Sequence, residues 1–308
     1  MRVLVTGGLG HIGSYLCPYL AEKYPGSEIT ILDNLSSQRY SSLFYLPKSS
    51  VYSFIDSDIR NHDLTSILED IDICIHLAAI TDAAGSFGNA KEVENNNFEC
   101  TKKIAKECSN FGVRLISLSS TSVYGSQNRI VSEDNKEDLN PQSPYAETKL
   151  KEEELLKYYS DELHLKCVIP RFGTIYGKSP GIRFHTAVNK FCFQAATQQP
   201  LTVWRTAYEQ KRPYLDITDA ARAIDHIISQ DLFNGEIYNI LTDNSTVKEV
   251  TDIIKGHCED MRIDFVDNEI MNQLSYEVSA KKFLETGFKY KGNMESRIIE
   301  TLEMLKLK

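Results

Sequence analysis

Tyr145 and Lys149 stand four residues apart in Tyr145-Ala-Glu-Thr-Lys149, a spacing that puts both side chains on one face of a helix. Ser143 and Pro144 suit a helix start, so the pair falls in its first turns. A tyrosine is ordinarily protonated at neutral pH. Positive charge beside it favours the phenolate, which can act as a general base towards an alcohol. Taken alone, the pair reads equally well as an exposed Tyr/Lys pair on a helix.

Residues 6–13 change the balance. Thr6-Gly7-Gly8-Leu9-Gly10-His11-Ile12-Gly13 follows an apolar strand and opens a helical segment. Glycine lets the backbone turn tightly and approach a pyrophosphate, and the helix N-terminus offers unpaired N–H groups and positive dipole. Asp33 ends the next strand, 20 residues after Gly13, the spacing expected of a carboxylate on adenosine ribose hydroxyls. It would repel a 2′-phosphate, and Asn34, Leu35 and Ser36 supply no arginine to hold one. NAD is therefore favoured over NADP. The plainer readings are a tight turn without ligand and, for Asp33, a turn former after a strand. The glycines at 7, 10 and 13, read with Tyr145 and Lys149, favour a catalytic pair beside a cationic nicotinamide.

With these residues the chain resembles the extended short-chain dehydrogenase/reductase family, and within it the nucleotide-sugar 4-epimerases of the UDP-galactose 4-epimerase type. The resemblance rests on TGGLGHIG (6–13), DNLSS (33–37), Asp58-Ile59, HLAA (76–79), NNNFECT (95–101), SSTSVYG (119–125), PQSPYAETK (141–149) and RPYLDITDAA (212–221). It covers residues 1 to about 178 and is patchy afterwards. It implies Tyr145 as the acid/base and Lys149 as the residue that holds the nicotinamide ribose and tunes the tyrosine. Ser120 would hydrogen-bond the reacting sugar oxygen, with Thr121 beside it on the substrate. The cofactor side would comprise Gly7, Gly10, His11, Ile12 and Gly13 at the pyrophosphate, with Asp33, Asn34, Ser36 and Ser37 at the adenosine. Asp58 and Ile59 would meet the adenine, and Leu77, Ala78 and Ala79 would form the strand end passing the cofactor. Asn96 would secure that region, with Asn95 and Asn97 leaving the register open by one.

The same segments separate siblings. Dehydratases of the family carry an acidic pair just after the Ser/Thr, and decarboxylases keep a glutamate at its second position; this chain has Thr121 and Ser122. Hydride and proton transfer alone remain. Arg212 opens R-P-Y-L-D-I-T-D, and the resemblance makes it a ligand of the substrate diphosphate, for which a bidentate guanidinium is suited. Thr174 stands where the galactose epimerases have an asparagine near the sugar. Arg183, Asn189 and Arg205 are further candidates for nucleotide contact, and Trp204 is read as core rather than as a base-stacking residue.

The elements that must position these groups alternate. Strands are expected at 2–6, 28–32, 51–55, 73–77, 114–119 and 165–170, with helices at 12–23, 98–111 and 145–159. Such alternation implies right-handed βαβ units and an α/β fold with a doubly wound, parallel Rossmann-type sheet. After about 177 the rhythm breaks: helices are expected at 184–198, 218–231, 247–257 and 279–286, and strands at 201–204 and 236–239. The organisation expected is an NAD-binding domain at 1–178, rejoined by a segment near 213–240, and a smaller mixed α/β substrate lobe over most of 179–308.

The 308 residues are 42% hydrophobic and 25% charged, ordinary for an enzyme with a real core. A net charge of −9, with no Lys/Arg run longer than a pair, argues against nucleic acid. The seven cysteines, at 17, 74, 100, 108, 167, 192 and 258, form no CxxC pair and suggest a reducing compartment. With no signal-like N-terminus and no 18-residue apolar run, a cytoplasmic protein away from membranes is expected. No metal is expected. The reading favoured is an NAD-dependent nucleotide-sugar 4-epimerase, and the resemblance implies a homodimer through a helix bundle. A 4-dehydrogenase releasing the keto sugar uses the same residues, and a non-catalytic NAD-binding regulator is the remaining alternative.

Overall fold

The computed structural model describes residues 1–44, 46–83, 85–127, 129–258, 260–267 and 276–305. The elements in the N-terminal half are β1 (Arg2–Thr6), α1 (Gly13–Lys23), β2 (Glu28–Asp33), β3 (Val51–Asp56), α2 (Thr65–Leu68), β4 (Ile73–His76), α3 (Ala90–Phe111), β5 (Arg114–Ser117) and β6 (Ser119–Ser120). There follow β7 (Ile130–Val131), α4 (Pro144–Leu163), β8 (Cys167–Phe172), β9 (Thr174–Tyr176), α5 (Ala187–Ala196), β10 (Leu201–Trp204), β11 (Lys211–Asp216) and α6 (Ile217–Ser229). The chain continues through β12 (Ile237–Ile240), β13 (Asp243–Thr246), α7 (Val247–His257), β14 (Ile263–Val266), β15 (Glu277–Val278), α8 (Lys281–Glu285) and α9 (Met294–Leu305).

Strand side chains alternate between two faces, and here both faces are apolar. Val3, Val5, Ile73, Ile75 and Val168 join α1 and α6 in one core, while Leu4, Cys74, Leu115, Cys167 and Ile169 join α2, α3 and α4 in another. A sheet buried on both sides must be covered by helices on both sides. Its strands run in the order β12-β8-β5-β4-β1-β2-β3, all parallel, with β6 beside β8. The order reverses between β1 and β4, which opens a crevice at their C-terminal ends. The doubly wound sheet expected from the sequence is therefore present.

Two elements differ from expectation for visible reasons. Helix α3 starts at Ala90 rather than 98, because Lys91, Glu92, Glu94 and Asn95 face solvent and only Val93 and Asn97 of its first turns point inward. The strand expected at 114–119 breaks at Leu118, whose carbonyl leaves the ladder and accepts from Lys149 Nζ at 3.1 Å. Of the stretch 213–240, α6 and β12 lie with the large sheet, whereas β11 pairs with β9 and β13 in a three-stranded sheet of the second lobe. The lobe core gathers Tyr176, Phe191, Val203, Tyr214, Ile254 and, from α9, Ile298 and Leu302. No described helix is long and apolar enough to cross a membrane.

Candidate active site

The crevice between β1 and β4 deepens into a cavity of about 680 Å³ running beneath the second lobe. Its floor is the glycine turn. Gly7 has φ +66°, and a Cβ there would lie 2.6 Å from the Ala78 nitrogen, so the turn can hug β4 only with glycine. A Cβ at Gly13 would lie 2.5 Å from Gly8. Gly10 is different. A Cβ would meet only the Gly7 carbonyl at 3.2 Å and Arg39 Nη1 at 3.9 Å, so the room in front of it belongs to the cavity. Backbone and a helix N-terminus facing open space form a cradle that fits a pyrophosphate.

Asp33 forms the next wall. Its carboxylate accepts from the Leu9 and Leu35 nitrogens at 3.1 and 3.0 Å, which fixes it at the mouth of the turn. Asn34, Ser36, Ser37, Ile59, Leu77, Ala78 and Ala79 line the same end, together with His11 and Ile12. An arginine does reach here: Arg39, half-buried, whose guanidinium burial pushes down while the charge of Asp33 raises it. Its distance along the chain from Asp33 hid it from the sequence reading, and Asp33 partly balances its charge. Asp58 does not line the cavity. Its carboxylate is engaged by Arg60 at 2.6 and 3.0 Å, a pairing that draws it down to about 2, and Arg60 faces the cavity instead.

Asparagines 96 and 97 divide the work assigned to Asn96. Asn96 lines the cavity, but the one that secures the loop after β4 is the buried Asn97, with Nδ2 to the Ile80 carbonyl at 2.9 Å and Oδ1 from the Ile80 nitrogen at 2.8 Å.

At the far end the sequence pair comes together with its partners. Ser143 caps α4 by accepting from the Ala146 nitrogen at 3.2 Å, with Pro144 in the first turn. Tyr145 and Lys149 are buried at the cavity wall, and Lys149 Nζ lies 5.9 Å from the Tyr145 ring centroid. Burial works against the Lys149 ammonium, but Glu152 and Tyr145 outweigh it and hold the group above the ordinary lysine range. Ser120 and Thr121 line the opposite wall. The Ser120 hydroxyl accepts from the Ser122 nitrogen at 3.2 Å, and Thr121 donates to the Phe172 carbonyl at 3.3 Å.

The second lobe adds Thr174, Arg183, His185, Trp204, Arg212, Tyr214 and Tyr276 to the lining. Trp204 is thus half-buried at the cavity rather than in the core expected of it. Arg183 donates to Thr81 Oγ1 and sits against His185 Nε2. Its Nε is buried without a hydrogen-bond partner among the described residues, and burial pushes the guanidinium down to about 10. Two sequence candidates fall outside. Asn189 is fully buried and serves the fold: it accepts from the Gly177 nitrogen at 3.0 Å and donates to His11 Nε2 at 3.3 Å. Arg205 points to solvent and pairs loosely with Asp267 at 3.3 Å. Among the described residues, no cluster of His, Cys, Asp and Glu could hold a metal ion.

Known proteins resemble this chain in sequence and fold. Residues 3–240 match the NAD dependent epimerase/dehydratase family. The chain is 32% identical over 248 residues to the Bacillus subtilis (strain 168) protein named uncharacterized UDP-glucose epimerase YtcB, covering 78% of this chain and 76% of that protein. It is 32% identical to the dTDP-D-glucose 4,6-dehydratase of Dictyostelium discoideum, over 79% of this chain and 58% of that one. It spans about half, 47%, of a trifunctional Arabidopsis thaliana relative that includes a UDP-glucose 4,6-dehydratase. Among solved structures, the UDP-glucuronic acid 4-epimerase from Bacillus cereus, in complex with UDP-glucuronic acid and NAD, superposes with a TM-score of 0.88 at 25% identity, over 99% of both chains. The UDP-N-acetylglucosamine 4-epimerase from Methanobrevibacter ruminantium M1 does so at 0.87 and 26%, over 98% of this chain and 97% of that one. On these grounds the chain belongs to the NAD dependent epimerase/dehydratase family.

Proposed function

We propose that the protein is an NAD-dependent nucleotide-sugar 4-epimerase. One observation carries this reading: Ser120, Tyr145 and Lys149 converge on the cavity that begins at the glycine turn, and Thr121 and Ser122 put no carboxylate beside Ser120. A dehydratase needs an acid there to complete elimination; an epimerase needs only a proton carrier and a reversible hydride acceptor. Bound NAD supplies that hydride chemistry. The cradle at Gly10, the carboxylate of Asp33 and the floor of Leu77, Ala78 and Ala79 would hold it.

Tyr145 then takes the proton of the sugar C4 hydroxyl and later returns it. Ser120 orients the same oxygen by a hydrogen bond. Lys149 lends positive charge to the tyrosine and has one N–H left over from Leu118 and Glu152 to reach a cofactor hydroxyl. Arg212, with Arg183, offers guanidinium groups to a diphosphate or other anionic part of the substrate. The UDP-sugar 4-epimerase neighbours support a UDP-linked hexose or uronic acid as substrate. The outward faces of α3 and α4, carrying the Lys151–Glu94 pair and exposed Tyr158, would form the dimer contact; light scattering tests this.

Incubation with UDP-glucose, UDP-N-acetylglucosamine and UDP-glucuronic acid should yield the C4 epimer of one of them. The reading fails if no epimer forms from any, and accumulated ketone with NADH would instead make the protein a 4-dehydrogenase.

A further inference from the structure

Glu152 is a buried acid one helical turn beyond Lys149, only 2% exposed, that touches Lys149 without lining the cavity itself. Its Oε2 accepts from Lys149 Nζ at 2.8 Å and from Thr101 Oγ1 at 3.1 Å, while its Oε1 is buried with no partner among the described residues. Behind it runs an ordered chain. Thr101 Oγ1 lies 3.2 Å from His76 Nε2, and His76 Nδ1 lies 2.7 Å from Thr6 Oγ1. A hydroxyl has a single proton. Since Thr101 gives its proton to the carboxylate, His76 must donate through Nε2 and accept from Thr6 at Nδ1. That is a neutral imidazole, in keeping with the burial that pushes His76 down to about 3. Every link points its proton towards Glu152, so the chain delivers donors to a carboxylate and ends there.

We propose that Glu152 is a positioning residue that keeps the buried Lys149 protonated and aimed at the Tyr145 wall, and so sets the pH range over which the site works. The inference rests on the role proposed for Tyr145 and Lys149. An ammonium withdrawn from water loses its proton readily unless a counter-charge is fixed beside it. Among the described residues, the other acids packed close to Lys149 are engaged elsewhere. Glu153, next on α4, is taken by Arg171 of β8 at 2.6 and 2.8 Å. Asp58 is taken by Arg60, and from α3 the facing group is the Cys100 thiol, which burial pushes up to about 12. His76 of β4 is neutral, and from the second lobe Arg183, of like charge, faces Tyr145. Nothing in the Tyr145/Lys149 spacing announces Glu152, because a glutamate on an amphipathic helix reads as solvent-facing.

Side-chain NMR of 15N-labelled lysine, with Lys149→Met to assign the signal, tests this without substrate or turnover. In the native protein Lys149 should hold its proton through the neutral range. In Glu152→Gln it should release it there, and the acid limb of the turnover profile should move up by about one pH unit, with Glu152→Asp restoring most of it. Unfolding by urea gives a second readout. Glu152→Gln should destabilise the native protein but not the Lys149→Met background, so a recovery in the double variant reports the coupling even where the single variant folds poorly. An unchanged Lys149 titration in Glu152→Gln, or equal destabilisation in both backgrounds, would overturn the proposal. If the native protein turns over no nucleotide sugar, the epimerase reading fails, while the NMR titration still decides the role of Glu152.

Discussion

The two ends of the cavity are built from different materials. The cofactor end is mostly backbone: the glycine turn, the tips of β1 and β4, and one carboxylate held by two amide nitrogens. The substrate end is mostly side chain, with Arg183, His185, Trp204 and Arg212 reaching in from irregular or short segments of the second lobe. A backbone cradle tolerates no Cβ at fixed positions and so fixes residue type and spacing. A wall of long side chains can be assembled from many sequences, which is how one fold serves many sugars.

The comparison is broken most sharply between the ends, at the reacting group. Tyr145→Phe should cut turnover by roughly 10²–10⁴-fold while leaving the melting temperature and the NAD affinity near native, read by kinetics and calorimetry on the same sample. Equal loss of NAD binding would mean that Tyr145 belongs to the cofactor end.

Within the cofactor end, Gly7 and Gly10 should part company. Gly7→Ala meets backbone at 2.6 Å with φ +66° and should lose more than about 3 kcal/mol of stability, measured by urea unfolding. Gly10→Ala, with its Cβ directed into the cavity, should keep its stability and lose NAD affinity by about tenfold or more, measured by titration.

Acid should act through buried histidines at both ends, His11 and His76 on one side and His185 on the other. His11 and His76 are both held near a pKa of about 3 by burial, against the ordinary 6.5. Between those values the unfolded chain binds protons that the folded one refuses. Stability is therefore full above about pH 6.5 and falls as the pH drops, by about 1.4 kcal/mol per unit for each histidine. Urea midpoints at several pH values check this, and His76→Gln should reduce the slope by no more than about a third, because His185, which burial pushes down to about 4, contributes to it as well.

At the substrate end, Arg183→Met should raise the nucleotide-sugar KM by about tenfold with little change in stability or NAD affinity, since it removes a buried guanidinium whose Nε lacks a partner among the described residues. The smallest effect is expected at Arg205→Ala: exposed and outside the cavity, it should leave KM and melting temperature within error, which separates it from its sequence neighbour Trp204.

What the sequence made legible follows the same division. Strand alternation and the glycine spacing point to the parallel sheet, the turn and Asp33. Tyr145 and Lys149 were readable because a helix fixes the i, i+4 relation. The directions in which loop and helix side chains turn were not. Arg39 reaches Asp33 through a loop, Asn97 rather than Asn96 takes the inward register of α3, and Asp58 spends its charge on Arg60. Helix α9 was missed although Met294, Ile298 and Leu302 recur at helical spacing, because the charged residues between them mask a three-residue stripe.

One contact reaches beyond catalysis. His11 Nδ1 donates to Ser179 Oγ at 2.7 Å, and the Gly181 nitrogen donates to Ser14 Oγ at 2.9 Å, so the loop after β9 is stitched to the glycine turn. A Cβ at Gly181 would lie 2.5 Å from the Leu9 carbonyl, which leaves no slack between them. The glycine turn and the loop after β9 are therefore held as one piece, tying the floor of the cavity to the second lobe. Cutting either bond should loosen the turn and the loop together rather than one alone.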